Sequence, residues 1–555
     1  MPQIARMIAG AGCGKTTWLL RTMEKAIEVG GLGPEQIGLL TFTVAAAEEG
    51  RMRAAEKFGC DKEALRHFGT IHSICFRNLE NRGELLTEDK KSRAWLTEKL
   101  QDVFSAPEDP QAESLGAFCT DNTANYSESA KALALWQLAR QRLTSIETVW
   151  REAQAQNASL VPLEKAKSIV RRYESAKLLD NMIDFTDMLS LWAGWKCHVD
   201  GCEAGEPQGD CPAIPVLLFD EQQDNTPLLN ECCHRLLHNP ASRWAYVVGD
   251  PFQSIYSFMG ANGQLFMSWQ VGKEGTLPKS WRCGKAVLDL GEAILRQQST
   301  GYFDRGIKPS DHASRVEEYR NPGLCIQESG ISPKDSWLLL ARTNKQAQRW
   351  ANLLNEAGVP WVPTRGNGGW KPTKKTLATS ALMQLQDDFP ITYEEWRAIL
   401  DNVPVKCPLS RSDLLAKGVK TRWIKPEYKP GPEFASLGDL EHWGATEYFR
   451  QVIKAGGWAR LIQQADDYIR AVRRWGIAAV GRPQIRVGTV HSVKGAEADN
   501  VAVLTTTGPI VGLSTDIARM RDEELRIGYV AATRARHRLL IVNNPRERFK
   551  MEMGV

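Results

Sequence analysis

GAGCGKTT, Gly10 to Thr17, lies near the start of a 555-residue chain, and its reading decides the fold. Apolar Met7-Ile8-Ala9 precedes it, and Thr16 to Ala26 has helical character. A strand, a Gly-rich turn and a helix N-terminus aim successive backbone N–H groups and the positive end of the helix at one point. That geometry grips phosphate. Gly10, Gly12 and Gly14 let the backbone approach closely, and Ala11, Cys13 and Thr17 complete the cradle. Lys15 would reach the β- and γ-phosphates of a nucleoside triphosphate, and the Thr16 hydroxyl would ligate Mg²⁺. Ala9 stands where the usual pattern opens with glycine. The plainer alternative is a Gly-rich turn that binds no nucleotide.

A triphosphatase needs a second element, a strand that ends in carboxylates. Ile214 to Phe219 is such a strand and runs into Asp220-Glu221-Gln222-Gln223-Asp224. Asp220 would hold Mg²⁺, directly or through water. Glu221 would polarise the attacking water, because positioning and charge neutralisation carry most phosphoryl-transfer catalysis. An acidic strand end alone says little. Together with the phosphate loop it specifies an ATPase site.

The rest of the composition sets bounds. Hydrophobic residues at 43% and charged residues at 25% describe an ordinary globular chain. A net charge of +4 leans towards a polyanionic partner without identifying one. Apolar runs such as IPVLLF are too short to span a membrane, and from the strand-like start IARMIAG no secretory signal is expected. Twelve irregularly spaced cysteines suit a reduced, cytoplasmic setting. Cys197, His198, Cys202 and Cys211 crowd before the acidic strand without a Cys-x-x-Cys pair. They are expected to be reduced thiols in a loop rather than a zinc site.

Six further stretches fall in order. They are TFTVAAAEEGRMR from Thr41, GTIHSICFR from Gly69, VVGDPFQSIYSFMGA from Val247, LPKSWRCGKAVL from Leu277, RVGTVHSVKGAEADNVAV from Arg486 and LRIGYVAATRARHRLLIV from Leu525. With GAGCGKTT and FDEQQD, the chain resembles a superfamily 1 helicase of the UvrD/Rep/PcrA type. The resemblance implies an α/β fold. Two RecA-like P-loop domains, parallel sheets flanked by helices, would hold ATP and Mg²⁺ between them and carry two mainly helical accessory insertions.

Residue by residue, the first motor domain would supply Lys15, Thr16, Asp220, Glu221 and Gln253, the last as a γ-phosphate sensor. The second would supply Arg282 and Arg534, whose planar forks suit phosphoryl oxygens. Arg534 would reach the γ-phosphate when the cleft closes. Trp281 would stack on adenine, and Glu497 would lie near the ribose. The alternative for each arginine is a surface salt bridge. Phe42, His72, Tyr256 and Phe258 match positions that face single-stranded DNA, where stacking is indifferent to sequence. Thr70, Thr489 and His491 match contacts to the DNA backbone. The alternative for the aromatics is core packing.

Two departures from the family pattern stand out. Only eight residues precede Ala9, so the family's adenine-reading glutamine segment is expected to be missing or replaced, which leaves adenine selectivity open. The family's Tyr-Gly-Trp-Arg-Gly is Tyr256-Ser257-Phe258-Met259-Gly260 here.

Some 205 positions separate Lys15 from Asp220, more than a bare motor domain needs. The resemblance then divides the chain into motor domain 1A (residues 1–77 and 178–275), helical insertion 1B (78–177), motor domain 2A (276–365 and 483–555) and insertion 2B (366–482). Basic residues interleaved with Trp370, Trp423 and Tyr428 suggest that 2B touches nucleic acid, against the alternative of a basic loop with packed aromatics. About twenty residues follow Arg534, too few for the nuclease domain of some relatives. The expected function is an ATP-driven single-stranded DNA translocase and helicase of 3′–5′ polarity, acting at ss/ds junctions in replication, repair or recombination, and monomeric in isolation. The competing reading is a DNA-stimulated ATPase that senses ends or remodels proteins beside a partner nuclease. An RNA-directed motor is a third reading.

Overall fold

Two runs of apolar residues mark the centres of two sheets. Val216–Phe219 is buried at all four positions and Trp337–Ala341 at all five. Parallel strands covered on both faces require that continuity. The computed structural model describes residues 2–80, 83–87, 89–102, 127–155, 160–365, 369, 374–407, 410–425, 427–428, 432–462, 466–507, 518–548, 550–551 and 553.

The first sheet has six strands: Gln3–Ile8 (β1), Ile37–Thr41 (β2), Phe68–Thr70 (β3), Val216–Phe219 (β4), Trp244–Gly249 (β5) and Lys273–Thr276 (β6). They stand in the order β6-β1-β5-β4-β2-β3, all parallel. Ile8 pairs with Gly249, and Phe219 with Val247. The phosphate loop after β1, Asp220 after β4 and Asp250 after β5 therefore leave the sheet at one edge, the carboxyl ends where parallel sheets bind ligands. Lys15–Glu28 (α1) follows the loop. Ile71–Asn78 (α2) follows β3, with the Thr70 hydroxyl as its N-cap.

The first insertion packs Glu128–Gln141 (α3) against Leu163–Leu179 (α4) around Trp136, Ile146, Val170 and Tyr173, and this core reaches Val199. A buried ionic knot ties it to Phe185–Ala193 (α5). Arg140 binds Asp184 at 2.6 Å and Asp187 at 2.8 Å, and Lys177 binds Asp187 at 2.6 Å. The Asp184 side chain also caps α5. Glu174, Asp184 and Asp187 are close enough to hold a metal ion, but Arg140 and Lys177 already fill that role.

Beyond α5 comes a correction. Trp195–His198 and Gly201–Ala204 form an antiparallel hairpin that sets Cys197 opposite Cys202, and the two are joined in a disulfide. They are not loop thiols. A four-residue gap across a tight hairpin places two cysteines face to face, a relation invisible in the spacing alone.

The second sheet has six strands: Arg315–Tyr319 (β7), Trp337–Ala341 (β8), Val362–Pro363 (β9), Ile485–Thr489 (β10), Ala498–Leu504 (β11) and Ala535–Val542 (β12). They stand in the order β7-β12-β11-β8-β10-β9, again all parallel. Lys285–Leu295 (α6) and Ala518–Ala532 (α7) cover one face. Ala11, Phe252 and Ile255 from the first half lie in the same apolar cluster as Leu525 and Tyr529 of α7. The two sheets thus share a core.

The second insertion, between β9 and β10, has its own core around Trp396, Trp423, Trp443 and Phe449. Trp423 is 3% exposed, its ring lies 5.5 Å from those of Tyr393 and Trp443, and Tyr428 packs edge-on against it. Trp423 is thus part of the core of the insertion and is not available to stack on a base, and Tyr428 is partly buried against it. Arg397, from the preceding helical segment, lies over the Trp423 ring as an internal cation–π pair, while Lys417, Arg422 and Lys425 of the basic stretch are exposed. Trp370 lies outside the described residues. The Trp443 carbonyl accepts both the Trp396 and Trp423 indole N–H groups. Trp443→Ala should destabilise this core by about 3–5 kcal/mol. Chemical denaturation should show that loss, and nucleotide binding at the first sheet should be retained.

Candidate nucleotide and nucleic-acid site

Gly14 caps α1 in the left-handed conformation (φ 80°) and offers no side chain, so the first N–H groups of the helix remain open for a ligand. Gly12 is also left-handed (φ 69°), and a Cβ there would lie 2.3 Å from the Arg282 Cβ. No other residue fits. The loop is held from the second half of the chain through its own backbone. The Ser280 hydroxyl donates to the Ala11 carbonyl (2.7 Å), the Trp281 N–H donates to the Gly12 carbonyl (2.8 Å), and the Ala11 N–H donates to the Tyr529 hydroxyl (3.2 Å).

Around this loop the structure gathers most of the expected residues. Lys15 Nζ lies 2.9 Å from Glu221 Oε1, and the Thr16 hydroxyl donates to Asp220 Oδ2 at 3.3 Å. Glu221 has φ 55°, a left-handed backbone uncommon outside glycine. The charges are strongly coupled. Burial and the neighbouring Glu221 push Asp220 up to about 7. Burial would also raise Glu221, but Lys15 and Lys494 bring it down to about 2. Burial opposes the Lys15 charge, yet Glu221, Asp220 and Asp250 hold its pKa above the ordinary lysine value. Without a ligand, Lys15 and Glu221 neutralise each other.

Across the loop, Arg534 is 1% exposed and donates to Gln253 Oε1 at 3.2 Å and to the Ala496 carbonyl at 3.2 Å. The two halves of the chain therefore meet at Arg534. Burial, then the like charge of Arg282, lower it to about 10. Arg282 turns to Glu497 (2.6 Å), which also accepts from Arg536 (3.2 Å). Trp281 is 64% exposed beside Gly14, with the Lys279 ammonium 4.9 Å from its ring centre. An open aromatic face next to a phosphate loop can receive a base.

Beyond Lys494, Phe42 stacks on Tyr256 at 5.6 Å, and Phe258 and His491 pack edge-on at 5.3 Å. Tyr256 donates its hydroxyl to the His491 carbonyl (3.2 Å), so the ring cluster spans both halves. His72 makes no ring contact with this cluster among the described residues. Burial lowers His72 to about 4 and His491 well below its ordinary value, so both imidazoles are neutral near pH 7.

Thr70 and Thr489 reveal a repeat. Gly69-Thr70-Ile71-His72-Ser73 and Gly488-Thr489-Val490-His491-Ser492 each end a parallel strand. The threonine hydroxyl accepts from the serine N–H (3.2 and 3.3 Å), and the serine hydroxyl donates to the threonine carbonyl (2.8 and 2.7 Å). The same five-residue device stands once in each half.

Several site residues escaped the sequence reading. Asp250 accepts from Gln253 Nε2 (2.7 Å) and Arg305 (2.7 Å), and Tyr529 contacts both Asp250 and the phosphate loop. Lys494 binds Asp224 at 2.5 Å and the Gln253 carbonyl, with the Tyr256 ring centre 4.8 Å away. Asp250, Lys494 and Tyr529 lie inside the quoted motifs and could have been found there. Arg305 lies outside them and carries no local signal.

Removing the Glu221 charge should release Lys15 and, by relieving the like charge, favour the ionised form of Asp220. Glu221→Gln is expected to bind ATP at least as tightly as the parent, measured with a fluorescent ATP analogue, and to lose hydrolysis by about 10²–10⁴-fold. Loss of ATP binding would show that Glu221 holds the loop in shape.

Comparison with known proteins agrees with this geometry. The family described as UvrD/REP helicase N-terminal domain matches residues 3–271, and the UvrD-like helicase C-terminal domain matches residues 476–545. The chain is 23% identical to the Bacillus subtilis protein YjcD, over 96% of this chain and 76% of that one. It is 24% identical to the ATP-dependent DNA helicase srs2 of Schizosaccharomyces pombe, over 64% and 42%. It is 23% identical to the ATP-dependent DNA helicase UvrD2 of Mycobacterium tuberculosis, over 96% and 76%.

Proposed function

The chain belongs to the UvrD/REP helicase family, and from that premise we propose that it is an ATP-driven motor that moves 3′ to 5′ along single-stranded DNA and opens duplex at junctions. The polarity rests on the resemblance of GDPFQSIYSF and TVHSVKGAE to the 3′–5′ branch. The division into 1A (1–77, 178–275), 1B (78–177), 2A (276–365, 483–555) and 2B (366–482) belongs to the same reading.

In the proposed cycle the triphosphate replaces Glu221 as the partner of Lys15, and the freed carboxylate orients the attacking water. Arg534 and Arg282 meet the charge that develops on the transferred phosphoryl group, a contribution of about 10³–10⁵ in rate for such arginines. The Thr16 hydroxyl and Asp220 carboxylate, already in contact, are a donor set that fits Mg²⁺, which would neutralise phosphate charge when bound. Phe42, Tyr256, Phe258 and His491 offer rings for bases. Thr70, Thr489 and their following histidines offer neutral donors for backbone phosphates. Trp281 and Glu497 would hold adenine and ribose.

The observation that carries this reading is that one helix touches both sites. Near its start, α7 contacts the ring-bearing loop: the Ser257 hydroxyl donates to Glu523, and Arg526 donates to the Ser254 carbonyl (3.0 Å). Tyr529 of the same helix meets the phosphate loop, and Arg534, just beyond it, meets Gln253. A ligand shifts a two-state protein only through contacts that differ between its states, and α7, in contact with both loops, is placed to carry such a difference from one to the other.

ATP hydrolysis should rise steeply when oligo-dT is added and fall with salt as released counterions weaken binding. Phe258→Ala should cost about 1–3 kcal/mol in single-stranded DNA affinity. Arg534→Ala should leave that affinity nearly intact and cut DNA-stimulated hydrolysis by about 10³-fold or more. Fluorescence anisotropy and ATPase assays on one preparation would test this pair. Strand displacement with tailed duplexes of each polarity tests the direction. Stimulated hydrolysis with no strand separation on either substrate would favour the remodelling role.

A further inference from the structure

Arg305 is buried in a segment without regular secondary structure, and its charge has no role in the cycle described so far. Its Nη1 donates to Asp250 Oδ1 at 2.7 Å and to the Tyr529 hydroxyl at 3.3 Å, and its Nη2 pairs with Glu292 on α6. The guanidinium carbon lies 4.7 Å from the Phe252 ring centre and 5.2 Å from that of Tyr529. Asp250 is fully buried. Its Oδ2 accepts from Gln253 Nε2 (2.7 Å) and from the Tyr529 hydroxyl (3.3 Å).

The Gln253 amide can face its surroundings in two ways. With Nε2 given to Asp250, Oε1 points at Arg534 and accepts from it. Flipped, it would set two donors against each other at Arg534 and two acceptors at Asp250. An anionic Asp250 therefore selects the orientation. Arg305 supplies the cation that a carboxylate buried at this depth requires, and by holding Oδ1 it leaves Oδ2 to accept from Gln253.

We propose that Arg305 is a positioning residue for hydrolysis: paired with Asp250, it fixes the Gln253 amide with Oε1 turned towards Arg534 and the site of the attacking water. This rests on the reading of Gln253 as the γ-phosphate-side glutamine. Arg305 touches no reacting atom, and its effect passes through Asp250.

The test is a double-mutant cycle in kcat, with the full chain at saturating oligo-dT and each preparation normalised to its titrated ATP-analogue sites. Gln253→Ala should lower kcat about ten- to a hundredfold, within the range of a lost water-orienting contact, with little change in KM. Arg305→Lys should give a similar loss, because a point charge cannot serve Asp250, Tyr529 and Glu292 together. The double variant should be no slower than Gln253→Ala alone, the non-additivity of residues acting through one another. Multiplying losses would overturn the proposal and leave the role of Gln253 standing. An unchanged kcat in Gln253→Ala would overturn both. If Arg305→Lys folds poorly, Asp250→Asn replaces it in the same cycle, since it keeps the size of the side chain, leaves the bond between Ala11 and Tyr529 in place and removes the charge that selects the amide orientation. The same non-additivity is expected, and additive losses again refute the proposal.

Discussion

The peptide groups of Ala11 and Gly12 are the constraint on which the rest of the molecule depends. The Ala11 N–H and carbonyl and the Gly12 carbonyl are all bonded to residues from the far half of the chain. Those bonds fix where the second sheet sits, and the uncapped end of α1 remains for phosphate. The closeness of the two halves makes glycine necessary at position 12, because a side chain there would run into Arg282. A loop that reads as a local device for gripping phosphate is also the hinge pin of the molecule.

The charges around the loop follow the same economy. Two lysines and three carboxylates lie close together, Asp220 and Asp224 buried and Lys15, Glu221 and Lys494 partly so, and their charges lean on one another. Lys494 links the groups. It sits between Asp224 on the nucleotide side and Tyr256 on the ring side, so a change in charge at one is felt at the other. Together with α7 it makes the two sites neighbours in energy.

The legibility of these features followed their range in sequence. The phosphate loop and FDEQQD were readable because a few adjacent residues carry each function and the strand register does the rest. Arg534 and Gln253 were readable only through the resemblance, and the structure brings them into contact across 281 positions. Arg305 and Glu292 were not readable, since a lone charge without periodicity looks like any surface residue. Trp423 misled because basic residues beside an aromatic suggest nucleic acid equally whether the ring points out or, as here, inwards to Trp443. The Cys197–Cys202 pair depended on a hairpin register that the spacing does not fix.

The repeated Gly-Thr-x-His-Ser device has a consequence for direction. On the proposed reading, both halves offer the strand the same threonine and histidine groups on the same turn, although only His491 also joins the ring cluster. Two holds of the same chemistry do not by themselves give a walker a preferred way to go, just as a ligand that binds two states equally shifts neither. Direction must then come from the order in which the grips let go. That makes it a property of timing, set by when hydrolysis loosens each half and not by how tightly either one holds.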